Sequence, residues 1–344
     1  MQERTKKVAL LIPHHFELYK AIISNLEKLG FSVVFIILTD KTFKYKSFKE
    51  QSTNFLRKTV FGDKQYKDKL RVIHHSEELE HQLSETDIEF DYGLVIRPDY
   101  FTISSLEKLK KKCVLFCGYQ WDGFKRYPKI IDYITLFDRF FAFDENDYHK
   151  HKDFYKNIFP ITNFYIDYLP RNPVNNGQVF FLGSYIPERM DQVIKVSDFF
   201  NEKGIPSSIN VVFHKSKIPE ELTQASINLI KKPLSYLEML DRVSKCGCML
   251  EFHNKEIHEG LSFRVFEALY FKKKLITNNV SVKDYDFFHP NNFFIWNENN
   301  TGDIENFLRE EYVDMDEHVL RKYSFTNWIS IIFNIKPYQA IQNY

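Results

Sequence analysis

The chain has 344 residues, enough for two domains that each bury a core of their own. A formal net charge of +1 argues against a general binder of polyanions, and a hydrophobic content of 44% excludes a disordered chain. No apolar run has the length of a signal peptide or of a membrane span of about 18 residues, so we expect a cytoplasmic protein.

The first half of the chain alternates predicted strands with predicted helices. A strand at Val8–Ile12, a helix from about Leu18 to Leu29 ended by Gly30, and a strand at Phe31–Leu38 predict a right-handed βαβ unit. The pattern continues with strands at Leu70–His74, Tyr92–Ile96, Val114–Cys117 and Phe140–Phe143, and helices at Glu77–Leu83 and Ser104–Lys111. We therefore predict a doubly wound, Rossmann-like domain over residues 1–168.

Polar and aromatic side chains follow three of these strands. Because the carboxyl ends of parallel strands share one edge of a sheet, we expect the three loops to be neighbours and to bind a ligand. No G-x-G-x-x-G follows the first strand, so this domain is predicted to hold an acceptor rather than a dinucleotide. The candidates are His14, Arg97, Tyr119 and Trp121 as acceptor-side residues, and His15, Asp99 and Asp122 as possible general bases.

The segment Lys41–Arg71 is basic and aromatic. It carries ten Lys or Arg residues against three acids, a difference of +7, and six aromatic residues lie among the charges. Such a segment is either a solvated face or a surface that rests on an anionic membrane or grips a phosphorylated lipid acceptor. No RNA- or DNA-binding motif appears, so a nucleic-acid partner is not expected.

Residues 167–177 contain two prolines, three asparagines and a glycine, which predicts the crossing between two domains. A second doubly wound domain is predicted over 177–316. Its expected strands are Val179–Leu182, Ile209–Phe213 and Met249–Phe252, and its expected helices are Met190–Phe200 and Ser235–Val243, the latter capped by Ser235. A last helical stretch, at about 317–335, is expected to pack back on the first domain.

The most informative stretch runs from Ile257 to Thr277. Leu261, Val265, Ala268 and Leu269 recur at helical spacing, with Glu259 before the helix, Arg264 in its first turn and Glu267 one turn later. A helix start offers free N–H groups and the positive end of the dipole to an anion. Earlier in the same predicted domain, Gly183 allows a diphosphate to approach the backbone and Arg189 can reach it.

Glu259 and Glu267, with seven residues between them, resemble the E-x7-E signature of nucleotide-sugar glycosyltransferases with the GT-B fold. The run Gly260-Leu-Ser-Phe-Arg-Val-Phe-Glu-Ala-Leu, followed by Lys273-Lys-Leu-Ile-Thr-Asn, is similar to bacterial lipopolysaccharide and capsule glycosyltransferases of the rhamnosyltransferase group. Tyr119–Asp122 and Lys283–Pro290 also resemble that family. The resemblance implies an α/β protein in which two Rossmann-like domains face a cleft.

The resemblance also implies a function: transfer of a sugar from a nucleotide diphosphate sugar to a lipopolysaccharide, capsule or other surface-glycan acceptor. If Lys41–Arg71 rests on a membrane, the acceptor is a lipid-linked glycan at the inner face of the cytoplasmic membrane. Glu267 would accept hydrogen bonds from the ribose, Glu259 would face the donor sugar, and Arg189 and Arg264 would offset the charge of the leaving diphosphate. The implied donor-binding residues are Gly183, Ser184, Arg189, Lys215, Glu259, Gly260, Leu261, Ser262, Arg264 and Glu267.

No metal or other cofactor is expected. Asp284-x-Asp286 and Asp314-x-Asp316 resemble the D-x-D of metal-dependent transferases, but they fall in segments predicted as loops or helix starts, where Asp is favoured anyway. The four cysteines are predicted to be free thiols, and Cys246-Gly-Cys248 lacks the companions of a metal site.

Several alternatives remain open at this stage. An inverting enzyme needs a base from the first domain, whereas a retaining enzyme does not. A two-lobed binding protein without activity would share the fold, and a polyol-phosphate transferase of capsule synthesis would release a nucleoside monophosphate. The sequence names neither the base and sugar of the donor nor the acceptor or the oligomeric state.

Overall fold

The computed structural model describes residues 4–40, 43–63, 65–169, 174–214, 218–253 and 260–341. These residues form two compact units, each with one six-stranded sheet in which every strand pair is parallel. The predicted fold class, α/β with two Rossmann-like sheets, is confirmed. The first unit takes in Met1–His15, Ile22–Phe143 and Asp147–Pro160, and the second takes in Phe16–Ala21, Asp144–Asn146 and Ile161–Tyr344.

The sheet of the first unit has the order β2-β1-β3-β4-β5-β6. Its strands are β1 Lys7–Pro13, β2 Ser32–Thr39, β3 Phe90–Ile96, β4 Cys113–Gln120, β5 Arg139–Ala142 and β6 Ile158–Pro160. The helices in this part of the chain are α1 Leu18–Lys28, α2 Phe48–Val60, α3 Tyr66–Ser84, α4 Ile103–Lys110 and α5 Glu145–His151. Alternate residues such as Leu11, Val95, Phe116 and Phe140 are fully buried and form the core between sheet and helices.

The predicted strand at Leu70–His74 is wrong. That segment lies inside α3, a 19-residue helix that buries Leu70, Ser76, Leu79 and Leu83. The local run of Leu, Val and Ile has β character, but the apolar positions of the longer segment recur at the helical period, and packing of that one face decides the structure.

The sheet of the second unit has the order β12-β11-β10-β7-β8-β9. Its strands are β7 Val179–Ser184, β8 Ser207–Val212, β9 Asn228–Ile230, β10 Cys248–Glu251, β11 Lys274–Thr277 and β12 Phe293–Ile295. Its helices are α6 Pro187–Glu202, α7 Glu220–Gln224, α8 Tyr236–Lys245, α9 Phe263–Tyr270, α10 Ile304–Arg309, α11 Glu317–Lys322 and α12 Phe325–Ile332. Ser235 caps α8 as predicted, in a reciprocal capping box with Glu238.

Both sheets have a point where the strand order reverses. In the first unit the chain builds β2 on one side of β1 and then places β3 on the other side. In the second unit it builds β8 and β9 on one side of β7 and then places β10 on the other. Open parallel sheets bind ligands beyond the carboxyl ends of the strands at such a switch point, so each unit offers one crevice.

The end of the chain forms two helices rather than the single predicted stretch. Phe164 packs against Phe325 and Trp328 of α12, with ring centroids 5.1 and 4.6 Å apart, so this helix is part of the core of the second unit. The four cysteines are free thiols, as predicted. Among the residues described, no helix combines the length and the apolar character that a membrane crossing requires.

Candidate functional site

The switch point between β7 and β10 brings together the two arginines predicted for the donor site. Arg189 lies in the first turn of α6, directly after β7, and its Nη2 donates a hydrogen bond of 2.6 Å to the carbonyl of Ser184. Arg264 lies in the first turn of α9, and its Nη2 donates to the carbonyl of Leu182. Both guanidinium groups are therefore fixed to the last residues of β7.

Gly183 is what allows Arg189 to lie so close to the strand. A Cβ atom at this position would stand 2.5 Å from Nη2 of Arg189 and 2.9 Å from Cζ of Phe181. The guanidinium lies over the ring of Phe181, with 5.6 Å between Cζ of the arginine and the ring centroid. Any larger residue at position 183 must displace this arrangement.

The electrostatics of the pair favour an anion. Burial and, to a lesser degree, the positive charge of Arg264 together lower the pKa of Arg189 to about 10, and the charge of Glu251 opposes this shift. Two guanidinium groups of like charge destabilise each other until an anion lies between them. A phosphate or diphosphate has the charge and the acceptor oxygens to relieve this repulsion.

Glu267 lies one turn after Arg264 and is 2% exposed. Burial raises the pKa of its carboxyl group to about 7, although Arg264 and Tyr236 both act to lower it. Tyr236 and Glu267 lie close enough to shift each other's pKa, but the contact falls short of a well-formed hydrogen bond: by geometry, neither Oε2 of Glu267 nor the Tyr236 hydroxyl has a partner among the described residues. A buried polar atom without a partner is rare in proteins. Oε2 of Glu267 and the Tyr236 hydroxyl are therefore candidates to hydrogen-bond a ligand.

The start of α9 supplies further polar groups. Ser262 is the N-cap residue, but its side chain caps no N–H group, and its Oγ is buried without a partner. Before it, Gly260 and Leu261 are buried, and the Leu261 carbonyl accepts a hydrogen bond of 2.9 Å from Nδ2 of Asn163. The segment that enters the helix is thus fixed at Leu261, and the Ser262 side chain does not cap the helix start.

Sequence reasoning missed three polar residues at the same edge of this sheet. Glu251 ends β10 and accepts a hydrogen bond from Oγ1 of Thr277, while His253 follows and lies 2.8 Å, Nδ1 to Oδ1, from Asn278. Nδ2 of Asn278 also donates to Oε1 of Gln192 at 2.8 Å. Glu251, His253 and Asn278 lie at or just after the carboxyl ends of strands. Their positions in the sequence are the signal that marks them as candidate site residues.

Two predicted donor-site residues, Lys215 and Glu259, lie outside the described residues. The structure therefore brings together Gly183, Ser184, Arg189 and Arg264 around the end of β7, with Glu267 one helical turn from Arg264. The first glutamate of the E-x7-E pattern remains a prediction.

In the first unit, Arg97 and Asp99 form a closed ion pair. Nε and Nη2 of Arg97 each donate to one oxygen of Asp99 at 2.7 Å, and the guanidinium lies 3.6 Å from the ring centroid of Tyr127. Arg97 is 6% exposed and has φ of 62°. Burial acts to lower the pKa of Arg97, but the hydrogen bonds and charge of Asp99 outweigh it and raise that pKa.

Asp122 is likewise paired. Its Oδ2 accepts a hydrogen bond of 2.9 Å from Nη1 of Arg126, and its Oδ1 accepts one of 3.0 Å from the backbone of Gly123. The rings of His15 and Trp121 lie side by side, with centroids 6.0 Å apart. The loops that carry His15 and Trp121 are therefore neighbours, as predicted.

Other residues at this edge differ in accessibility. The ring of Tyr119 is fully buried, and this burial raises the pKa of its hydroxyl well above the ordinary value. The backbone N–H of His14 donates a hydrogen bond of 2.7 Å to the Thr39 carbonyl. Gln120, the last residue of β4, was not predicted as a site residue. Both ends of its buried amide have no partner among the described residues, so it is a further polar group at this edge.

The described part of the chain contains no cluster of three or more His, Cys, Asp or Glu side chains placed to hold a metal ion. Asp286, from the D-x-D pattern, accepts hydrogen bonds from Nζ of Lys322 and, at 2.7 Å, from the hydroxyl of Tyr323. These contacts give Asp286 a structural role between two segments of the second unit.

No protein-family model matches the sequence, and no curated protein matches it. Solved structures are similar at the level of the fold. An α-glucosyltransferase in complex with UDP and a 13-mer DNA has a TM-score of 0.57 at 13% identity, covering 96% of this chain and 100% of its own. A glycosyltransferase from Rickettsia africae has a TM-score of 0.51 at 12% identity, covering 97% and 100%.

A UDP-N-acetylglucosamine 2-epimerase has a TM-score of 0.51 at 10% identity and covers all of both chains. These three proteins are similar to this chain over nearly its whole length, across both parallel sheets. At such identities the similarity establishes the architecture. The chain has the GT-B fold, an α/β protein with two Rossmann-like domains.

Proposed function

We propose that the chain is a glycosyltransferase that moves a hexosyl or deoxyhexosyl group from a nucleoside diphosphate sugar to a surface-glycan acceptor, such as lipopolysaccharide or capsule. The observation that carries the proposal is the cluster at the β7–β10 switch point. Gly183 admits a close approach to the backbone there, Arg189 and Arg264 repel each other, and Glu267 is buried with an oxygen unpaired.

Each of these groups has a role in the proposed reaction. Arg189, Arg264 and the positive dipole end at the start of α9 stabilise the negative charge that grows on the leaving diphosphate, so no metal ion is required. Glu267 accepts hydrogen bonds from the ribose hydroxyls. The resemblance described above adds Glu259 facing the donor sugar, and Lys215 is a further predicted donor-binding residue.

The similar structures support a nucleotide-sugar ligand and leave the acceptor open. One of them was solved with UDP and DNA, and another is named for UDP-N-acetylglucosamine, which it epimerises. We favour a glycan over DNA as the acceptor because the net charge of this chain is +1 and its sequence has no nucleic-acid-binding motif.

The stereochemical course remains open between two mechanisms. In an inverting reaction, one of His15, Asp99 and Asp122 would remove a proton from the acceptor hydroxyl. Asp99 and Asp122 already accept hydrogen bonds from arginines, and this interaction would have to loosen before either carboxylate took a proton. A retaining reaction needs no such base, and the paired carboxylates would then be structural.

A nucleotide panel tests the donor site. UDP, GDP, CDP, ADP and dTDP would be compared by thermal shift, since a ligand at 100 times its Kd adds about 2.7 kcal/mol of stability. Glu267→Ala should weaken the best nucleotide by about 1–3 kcal/mol, the usual loss for a charge-assisted hydrogen bond, whereas Glu202→Ala on the exposed end of α6 should change nothing. A folded Glu267→Ala protein with unchanged affinity would disprove the assignment.

The products separate the reaction from its alternatives. A glycosyltransferase releases a nucleoside diphosphate, and a polyol-phosphate transferase releases a monophosphate. An epimerase converts the sugar of the donor without any acceptor. A binding protein leaves both the nucleotide sugar and the acceptor unchanged. Analysis of nucleotide and sugar products after incubation with the preferred donor and an acceptor glycan distinguishes these four outcomes.

A further inference from the structure

Helix α2 exposes its apolar side chains to solvent. Phe48 is 83% exposed, Phe55 66%, Leu56 53% and Val60 66%, and Phe61, which caps the helix, is 77% exposed. No residue of α2 is buried. Large apolar side chains gathered on one helix in this way are rare on proteins that bind nothing, so the feature indicates a docking surface.

Four of these side chains lie on one face of the helix. At 3.6 residues per turn, Phe48, Phe55, Leu56 and Val60 fall within an arc of roughly 140° around the helix axis. The small residues Ser52 and Thr59 lie in the same arc, and so does Lys49. We call the six uncharged residues of this arc the α2 stripe: Phe48, Ser52, Phe55, Leu56, Thr59 and Val60.

The opposite side of α2 is polar and holds the helix to its own unit. Oε1 of Glu50 lies 2.9 Å from Nε2 of His74, Nδ2 of Asn54 donates to the hydroxyl of Tyr45 at 2.8 Å, and Arg57 lies 4.6 Å over the ring of Tyr66. A helix that covers a core has the reverse arrangement, with apolar residues inward. The stripe is therefore fixed outward by specific contacts.

The charges beside the stripe are positive. The acids of this segment are already paired, Glu50 with His74, Asp63 with Arg57 at 3.3 Å and Asp68 with Arg71 at 3.8 Å. In contrast, five lysines have no ion pair within the described residues: Lys44, Lys49, Lys58, Lys67 and Lys69. The segment that carries the stripe therefore has more cations than its acids pair with, even though the charge of Lys69 also acts on Asp63.

We infer that α2 binds an anionic membrane surface, with the α2 stripe placed at the boundary of headgroups and acyl chains and the lysines against lipid phosphates. An outward apolar face flanked by lysines is the pattern of helices that lie in the plane of a membrane. A protein partner is the poorer occupant, because lysine is depleted in protein–protein interfaces. This binding surface lies in the first unit and does not depend on the proposed sugar transfer.

Sedimentation with vesicles tests the inference. The full-length protein should bind phosphatidylglycerol vesicles at low salt and should bind phosphatidylcholine vesicles much more weakly. Phe55→Gln with Leu56→Gln should reduce binding by at least tenfold, and the stripe is exposed, so the fold should survive. Phe154→Gln is the matched control, because Phe154 is 79% exposed in the same unit but lies outside α2.

Two further measurements decide how the surface binds. Lys49→Glu with Lys58→Glu should also weaken binding by roughly tenfold or more, since each basic residue near an anionic surface contributes. Phe55→Trp should show a blue-shifted emission on vesicles relative to the wild type, and brominated lipids should quench it, because the ring enters the membrane.

The inference fails if the wild type ignores phosphatidylglycerol vesicles at low salt, or if Phe55→Gln with Leu56→Gln binds as the wild type does. It also fails if the wild type is a stable dimer that this double substitution makes monomeric, because the stripe would then be a protein interface. Nucleotide binding by all variants, measured in parallel, reports on the second unit alone and keeps the two proposals separable.

Discussion

The two sheets present chemically different edges at their switch points. At the edge of the first, the two acids predicted as candidate bases each have an arginine partner, Asp99 with Arg97 and Asp122 with Arg126. At the edge of the second, Arg189 and Arg264 repel each other and a nearby glutamate is buried with one oxygen unpaired. We call the first edge complete because these two acids are already paired, and the second edge incomplete because it combines like-charge repulsion with an unpaired carboxylate oxygen.

This difference indicates which unit binds the charged substrate. Unfavourable burial and like-charge contact reduce the stability of the ligand-free protein, and a ligand that relieves them gains the same free energy on binding. A neutral glycan can bind at a complete edge through hydrogen bonds to hydroxyl groups. A nucleoside diphosphate suits the incomplete one.

The largest effect is expected when the Arg97–Asp99 ion pair of the first edge is broken. Asp99→Ala leaves the guanidinium of Arg97 buried without its partner, and removal of one member of a buried pair costs about 3–5 kcal/mol. Chemical denaturation should show this loss, and Asp122→Ala should cost less than about 1 kcal/mol, since Arg126 is half-exposed. If Asp99→Ala abolished transfer with no change in stability, Asp99 would act on the acceptor and not on the fold.

The next effect concerns the pH dependence of stability. The pKa of Glu267 is about 7 in the folded protein and 4.5 ordinarily, so the folded state holds the proton more tightly and stability falls as pH rises from about 4.5 to 7. The difference corresponds to about 3 kcal/mol at 1.36 kcal/mol per pH unit. Glu267→Gln should remove this slope and raise the melting temperature at pH 8 relative to the wild type.

Nucleotide affinity should respond in the opposite direction, because the ionised Glu267 is the better acceptor for ribose hydroxyls. Wild-type affinity should rise between pH 6 and pH 8, and the affinity of Glu267→Gln should not. A pH-independent wild type would show that Glu267 contributes to the fold alone.

A smaller effect is expected from Gly183→Ala. The added methyl group must displace Arg189 from Ser184, which should weaken nucleoside diphosphates by about tenfold to a hundredfold in calorimetric titration. The free nucleoside, which has no phosphate, should bind as weakly to the variant as to the wild type. Arg242→Ala, at an exposed position of α8, serves as the control for a general loss of positive charge.

Removal of metal ions is expected to have no effect on activity. If the two arginines offset the charge of the leaving diphosphate, transfer should continue in excess EDTA. Activity that returns only with Mn²⁺ or Mg²⁺ would show that a cation, and not the two arginines alone, offsets the charge of the diphosphate at the second edge.

Much of this arrangement followed from the sequence. Helical spacing places Arg264 and Glu267 one turn apart, and the first loop of the second sheet places Gly183 near Arg189. The parallel order of β1, β3 and β4 also brings His15 near Trp121, as strand-end reasoning predicts.

The rest depended on tertiary packing, which local patterns do not encode. The residues at 70–74 join a helix because α3 buries a longer apolar face than any short strand would. The outward direction of the α2 stripe is set in part by His74, which lies on the next helix and holds Glu50. The pairing of Arg97 with Asp99 depends on the left-handed backbone of Arg97, which no sequence rule assigns to an arginine.

The burial of α9 limits how this protein can change its substrate in evolution or by design. Val265 to Tyr270 are all buried, and the hydroxyl of Tyr270 donates to the carbonyls of Asp167 and Leu169, so the helix that carries Arg264 and Glu267 is also central to the core. Substitutions on α9 that alter nucleotide preference will therefore often prevent folding. New specificity should be reached more easily through residues at the strand ends, such as Ser184, which is exposed.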